Sequence, residues 1–304
     1  MALLALSTLA HAQKKTVAER LGYPADSKLL IIHADDLAVA HSVDQASFSA
    51  LDQNAVSSAS VMVPCPWLTE VAEYAKSHPD SDLGLHLTLT SEWKVYRWGP
   101  VSSRDQVSSL LDQNGYFWPE VVPAVAHDKP EEVERELRAQ VALAWRMGIE
   151  PTHLDSHMGT LFQTPGLVRA YVKVARDYRL PFLALRAPNL SPEILAQLKD
   201  DDFILDSVII MSPGLAPEKW MDWYLAAIKN LKPGFHEMIV HLASDDAEMQ
   251  GVSLDHPDYG AAWRERDFKV VTSPEFKKAL EDNHVIVVRW KDLKKLLQQE
   301  PPQT

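Results

Sequence analysis

The chain runs to 304 residues, 46% of them hydrophobic and 24% charged, with 30 basic against 42 acidic side chains and a net charge of −12. One α/β barrel of roughly 250 residues with decoration accounts for that length, and the acidic balance excludes nucleic acid and anionic membrane surfaces as bulk electrostatic partners. The single cysteine, Cys65, excludes an intrachain disulfide, and no apolar run approaches the roughly 18 residues needed to cross a bilayer.

Leu3 to Leu9 is a short apolar run, and Ala10-His11-Ala12 is a small-x-small pattern before Gln13. Together they predict a processed export signal over residues 1–12, although the usual basic segment ahead of it is missing. Residues 13–298 read as one domain. Lys28 to Asp36, KLLIIHADD, is an apolar run that ends in a histidine and two adjacent acids. It reads as a buried parallel strand with Asp35 and Asp36 at its carboxyl end, where such folds place their chemistry. Two neighbouring carboxylates repel unless a cation or a proton separates their roles. A surface turn or a helix cap is the bland alternative for this stretch taken alone.

Ser42 to Leu51 has a helical look, Ser57 to Val63 reads as a second strand, Trp67 to Lys76 as a helix, and Asp82 to Leu89 as a third strand carrying His86. Thr90 to Phe117 lacks a period and reads as a long functional loop. Its Trp93, Tyr96 and Trp98, with Trp118 just beyond, offer ring faces either for sugar stacking or for packing the loop onto the barrel. Trp93 and Trp98 are the substrate-binding candidates. Pro130 to Met147 has a proline start, first-turn acids and a glycine stop, with Leu137, Val141 and Ala144 on its buried side. Pro151 to Asp155 enters a fourth strand carrying His153, Asp155 and His157.

Helix at Pro165 to Tyr178, strand at Pro181 to Leu185, a short helix from Ser191-Pro192, strand at Phe203 to Ile210, helix at Pro217 to Asn230 and strand at Gly234 to His241 follow. Ala243 to about Arg266 reads as a polar loop. Ser273 to Asp282 is a helix, His284 to Arg289 a last strand, Lys291 to Gln298 a last helix, and residues 299–304 a frayed tail. Strand and helix alternate about seven times. That predicts an α/β fold, a single distorted β/α barrel of about seven parallel strands with long loops at the carboxyl ends.

Four strand ends carry groups that can converge: Asp35 with Asp36, His86, His153 with Asp155 and His157, and His241. If the fourth strand runs through HLDSH, its three polar residues share a face. Histidine with carboxylate suits zinc, iron, manganese or nickel and leaves positions open for water and substrate. A lone strand histidine is more often a hydrogen-bonded core residue. Several at strand ends beside acids shift that balance without establishing a metal.

HADDLAVAH, DLGLHLTLT and THLDSHMG, in that order, with SVMVP and EMIVH, resemble the motifs of the YdjC/ChbG-like carbohydrate deacetylases over roughly Leu29 to Arg289. The resemblance implies a distorted β/α barrel, one divalent metal ion, magnesium or zinc foremost, and removal of an N-acetyl group from an amino sugar or oligosaccharide. It implies Asp35 as general base, His241 as general acid, and Asp36, His86 and His153 as metal ligands. His157 is the second choice for the third ligand or a substrate contact, and Asp155 orients a histidine. Leu37-Ala38 in place of Phe-Gly, Gly159 in place of a further histidine, and Pro64 depart from the pattern and are expected to line the pocket. Another metal-dependent amidase or esterase on the same scaffold, or a non-catalytic exported sugar-binding protein, are the competing readings.

Overall fold

The computed structural model describes residues 15–185 and 191–299. The expected export signal lies outside the described residues, as does the tail beyond Gln299. Among the described residues no helix is long and apolar enough to cross a membrane.

The described residues form seven strands: β1 (Lys28–Leu37), β2 (Ser58–Val61), β3 (Leu83–Leu87), β4 (Leu154–Ser156), β5 (Ser207–Ile210), β6 (Gly234–His241) and β7 (Val285–Val287). Six of them lie in the order β4-β3-β2-β1-β6-β5, and β7 pairs with the start of β1. Every pairing is parallel, so each return crosses over the outside of the sheet. Leu29 to Ile32 are buried on both faces, as a central strand between helix-covered layers requires.

Residues paired across a sheet share a face, as do positions two apart along one strand. Asp35 is paired with His241, His33 with Ile239, and Ile31 with Glu237. Ile210 is paired with Ile239 and Val208 with Glu237, while His86 is paired with Asp155. The interior of the curled sheet is therefore built in layers. Asp35 and His241 form the uppermost, and His33 with Ile239 and Ile210 lie one layer below.

Three expectations change. Pro181 to Leu185 is no strand of its own: it makes single bridges, Leu154 to Phe182 and Leu185 to Leu205, and these span the gap between β4 and β5. Only the end of Phe203 to Ile210 is regular strand. The polar loop from Ala243 holds two helices, Ala247–Val252 and Ala261–Val271. The second buries Trp263, Val270 and Val271 together with Arg264 and Asp267. Two charges on the inward stripe blur the apolar period that would have revealed it.

The Pro130–Arg146 helix forms as its caps dictate and buries Val133, Leu137, Val141 and Ala144. Its Glu136, wholly buried, accepts from the backbone of Val101 and Ser102 at 2.9 Å each. This is how the long segment after β3 is fastened to the barrel. That segment carries short 3-10 turns at Arg104–Gln106 and Ser108–Leu110, followed by a helix at Val121–His127.

Candidate active site

The site stands at the carboxyl ends of β1, β3, β4 and β6, around a cavity of ≈ 510 Å³. Adjacent residues on a regular strand point to opposite faces, so Asp35 and Asp36 could not both enter it. The chain resolves this with an irregularity in the β1–β2 register between Ala34 and Leu37 and a left-handed backbone at Asp36 (φ 71°) and Ala38 (φ 74°). Such a bulge re-aims a side chain, and non-glycine residues tolerate it only where the surroundings enforce it. The amide of Ala38 donates to Asp44 Oδ1 at 2.6 Å, and that of Val39 to the Asp36 carbonyl at 3.2 Å.

Asp36 is thereby presented to three neighbours. Arg264 Nη2 donates to its Oδ2 at 2.7 Å. Its Oδ1 is buried without a hydrogen-bond partner and lies 3.4 Å from both His86 Nε2 and His157 Nδ1. The far nitrogen of each ring is held by a carboxylate: His86 Nδ1 lies 2.7 Å from Asp155 Oδ1, and His157 Nε2 lies 3.0 Å from Glu92 Oε2. An orphaned carboxylate oxygen facing two imidazoles, each oriented from behind by an acid, is a donor set that fits a divalent cation. Asp36, His86 and His157 thus form one group able to hold a metal.

His153 is not brought to Asp36. Regular β4 covers only Leu154–Ser156, and His153 sits two residues before Asp155, about 6.6 Å lower in the barrel at strand rise. Its ring stacks on Trp290 at 5.2 Å between centroids and meets His33 edge-on at 5.0 Å. Thr152 Oγ1 is 3.0 Å from its Nδ1. His157 leaves the strand into a turn with Met158 at φ 51° and Gly159 at φ 64°, which swings its ring over the site. His157, the second choice, is therefore the residue that joins Asp36 and His86, while His153 falls in a separate group with His33 and Asp155 that could also hold a cation.

Asp35 lies beside this group. Ser60 Oγ donates to its Oδ1 at 3.1 Å, and His33 Nε2 is 3.1 Å from that same oxygen and 3.1 Å from Asp155 Oδ2. His241 Nε2 stands 3.9 Å from both Asp35 Oδ2 and Asp36 Oδ2. The His241 amide donates to Asp267 Oδ2 at 3.1 Å, and Asp267 is itself fixed by Trp220 and Tyr224.

Burial alone would push Asp35 and Asp36 up. For Asp35 the charges of His86 and His33 outweigh it and hold the carboxyl below its ordinary range. For Asp36, Arg264 with His157 and His241 holds it well below. His157 would be lowered by burial, but Glu92 and Asp36 raise it to about 10. His241 is lowered by burial to about 4. His33 is raised well above the usual histidine value by Asp155 and Asp35 despite its burial. Its acid partners therefore favour the protonated ring at the centre of the barrel.

The tryptophans do not offer faces to a ligand. Trp93 and Trp98 are 1% and 3% exposed and pack on each other. Trp98 Nε1 donates to the Thr90 carbonyl at 2.8 Å, and its ring abuts His157. Their large apolar area locks the loop, and so sets Glu92 against His157. Of the departures from the family pattern, Gly159 lines the cavity, whereas Leu37 and Ala38 are fully buried and are not among the residues that line it.

Sequence reading missed His33, Ser60, Glu92 and Arg264. His33 had a signal, since it lies two residues before Asp35 and shares its face. Ser60 had a weaker one on the apolar second strand. Glu92 and Arg264 had none short of tertiary structure.

The family model of YdjC-like proteins matches residues 29–282. A carbohydrate deacetylase of Thermus thermophilus is 34% identical over 288 residues, spanning 92% of this chain and 98% of the relative. A carbohydrate deacetylase of Thermoanaerobacter pseudethanolicus is 27% identical, over 88% of this chain and 100% of the relative. The crystal structure of an Enterococcus faecalis V583 protein named for cellobiose-phosphate cleavage superposes with a TM-score of 0.73 at 27% identity, covering 88% of this chain and 99% of that one.

Proposed function

The chain belongs to the YdjC-like family, and on that premise we propose that it is a metal-dependent carbohydrate N-deacetylase, hydrolysing the N-acetyl group of an amino sugar to acetate and free amine. The observation that carries this reading is the orphaned Asp36 Oδ1 between His86 and His157, with Asp35 and His241 alongside. Asp36, His86 and His157 would hold the cation. Bound there, it supplies Lewis-acid polarisation of the amide carbonyl and makes an attacking water more acidic.

The chain's own residues do the rest. Asp35, held ionised by His33 and His86, accepts a proton from the attacking water. Ser60 and His33 leave its Oδ2 as the oxygen turned toward His241. His241 enters neutral at pH 7, because burial lowers it to about 4. It therefore gains its proton during the reaction, the one that Asp35 has taken from the water, and passes it to the departing nitrogen. Asp267 fixes its backbone, so the ring is positioned from below. The water adds to the carbonyl carbon, the C–N bond breaks, and the products are acetate and the amine.

The test is acetate release from N-acetylglucosamine oligomers by chelated protein, with zinc, magnesium, manganese, cobalt or nickel added back. Metal-dependent acetate that is lost in Asp36→Ala supports the reading. A metal-loaded protein that releases no acetate from any N-acetylated sugar overturns it. Asp35→Asn should bind metal as the parent does and lose about 10²- to 10⁴-fold in rate. We also propose export of the mature chain, resting on the apolar Leu3 to Leu9 run and Ala10-His11-Ala12; amino-terminal sequencing of exported protein beginning at Gln13 checks it.

A further inference from the structure

The cavity has two chemically different sides. β1, β3 and β4 give it acids and imidazoles. Facing them, β5, β6 and the bridging segment give it hydrocarbon: Leu183, Leu185, Val208, Ile210 and Ile239, with Phe162 beside them. Ile239 shares a face with His241, two residues on, and Ile210 is its register partner, so the apolar wall begins directly below the proposed acid. A β/α barrel interior is ordinarily filled by such side chains. Here Ile210 is 37% exposed, and Leu185, Val208 and Ile239 are only partly buried.

Behind Phe162, Leu183 and Leu185 a further hollow of ≈ 140 Å³ opens, lined among the described residues by apolar side chains and Tyr171. The Tyr171 hydroxyl is turned away, donating to the Leu154 and Leu183 carbonyls at 2.7 and 3.1 Å. Sugar hydroxyls lose water without gaining partners against such a wall, which is costly. Hydrocarbon loses nothing there. A cavity of ≈ 510 Å³ falls within the range of sites that enclose a ligand larger than one small acyl group.

We propose that the natural substrate is an amino sugar bearing a hydrocarbon group, and that this group lies against the Val208, Ile210 and Ile239 wall while the amide meets Asp35 and His241. This rests on the deacetylase reading of the same site. The hydrocarbon has two sources, an N-acyl chain longer than acetyl or an apolar aglycone.

Two substrate series separate them: N-acetyl-, N-butyryl- and N-hexanoylglucosamine, followed by amine release, and methyl, butyl and octyl N-acetylglucosaminides, followed by acetate release. The expected result is a rise in kcat/KM of roughly threefold to fourfold per methylene in one series, which names the source. The slope against chain length should flatten in Val208→Thr and in Ile239→Thr. A flat or falling response in both series, with the parent sugar turned over, overturns the proposal. If no amide in either series is hydrolysed, the deacetylase reading fails first. Calorimetric binding of octyl against methyl N-acetylglucosaminide, and of N-hexanoyl- against N-acetylglucosamine, then decides the wall separately: tighter binding of the longer member of either pair sustains it, and equal binding in both overturns it.

Discussion

Arg264 and Asp36, 228 positions apart in the chain, meet at 2.7 Å with exposures of only 1% and 3%. The guanidinium occupies one oxygen of the carboxylate and leaves the other bare toward two histidines. One residue thus neutralises the acid and fixes which oxygen faces the cation position.

Breaking a buried ion pair by removing one partner costs about 3–5 kcal/mol, because it strands the other charge. Arg264→Gln should therefore destabilise the metal-free protein by roughly 3 kcal/mol. A bound cation would compensate Asp36 in place of the guanidinium, so the loss should shrink when metal is saturating. Denaturant unfolding of chelated and metal-loaded protein compares the two; equal losses would show that Arg264 and the cation do not act on the same charge.

On the proposed assignment, His157 is a ligand and His153 a core residue, and the two can be told apart. His157→Gln should weaken metal affinity by more than about 100-fold, since an oriented imidazole is lost outright. His153→Gln should leave affinity nearly intact and lower stability. The core role of His153 is visible in Gly84, where an added Cβ would fall 2.2 Å from the ring. The ring cannot retreat, because Trp290 stacks on its other side. Gly84→Ala should cost about 3 kcal/mol, the upper range for overpacking a core, and His153→Ala should restore much of it. A double-mutant cycle by chemical denaturation checks this coupling.

The frame was legible because its signals are local. KLLIIHADD, the proline and glycine ends of the 130–146 helix and the strand-helix alternation each follow from a short window. Asp36 was legible as a site residue, but not the bulge that turns it inward. His153 was favoured over His157 on the family resemblance alone, since a strand through HLDSH would set both rings on one face. The strand ends at Ser156, and a left-handed turn delivers His157 instead. Arg264 and Asp267 were hidden because a buried charge looks like surface until its partner is known. Ala38 shows the opposite case: its backbone lies at φ 74°, where glycine is free of strain. The Phe-Gly departure therefore falls in the irregular end of β1 that re-aims Asp36.

His157 sits at about 10 without a cation, so a proton occupies the nitrogen that a cation held with Asp36 and His86 would take. Binding releases that proton, and affinity must rise with pH. The apparent association constant should climb about tenfold per pH unit for each proton displaced, and level off as pH passes about 10. Calorimetric titration between pH 6 and 8, repeated in buffers of different ionisation enthalpy, gives both the slope and the proton count. No release of protons would exclude His157 as the residue that the cation displaces.

The turn that aims Asp36 hangs on one buried acid. Asp44 is wholly buried. Burial pushes its carboxyl well above the usual range, which favours the neutral form where it accepts from Ala38 at 2.6 Å. Asparagine keeps a neutral acceptor in that place, whereas alanine leaves the Ala38 amide buried and unpaired, at a cost of about 1–3 kcal/mol. Asp44→Asn should accordingly stay within about 1 kcal/mol of the parent and keep its metal affinity. Asp44→Ala should lose roughly 2–3 kcal/mol and bind metal more weakly, because Asp36 no longer has an enforced left-handed backbone. Were Asp44 instead ionised and part of the charge balance around the site, the asparagine variant would shift metal affinity as much as the alanine variant does. Unfolding and metal titration of the two side by side distinguish a hydrogen-bonding role for this acid from an electrostatic one.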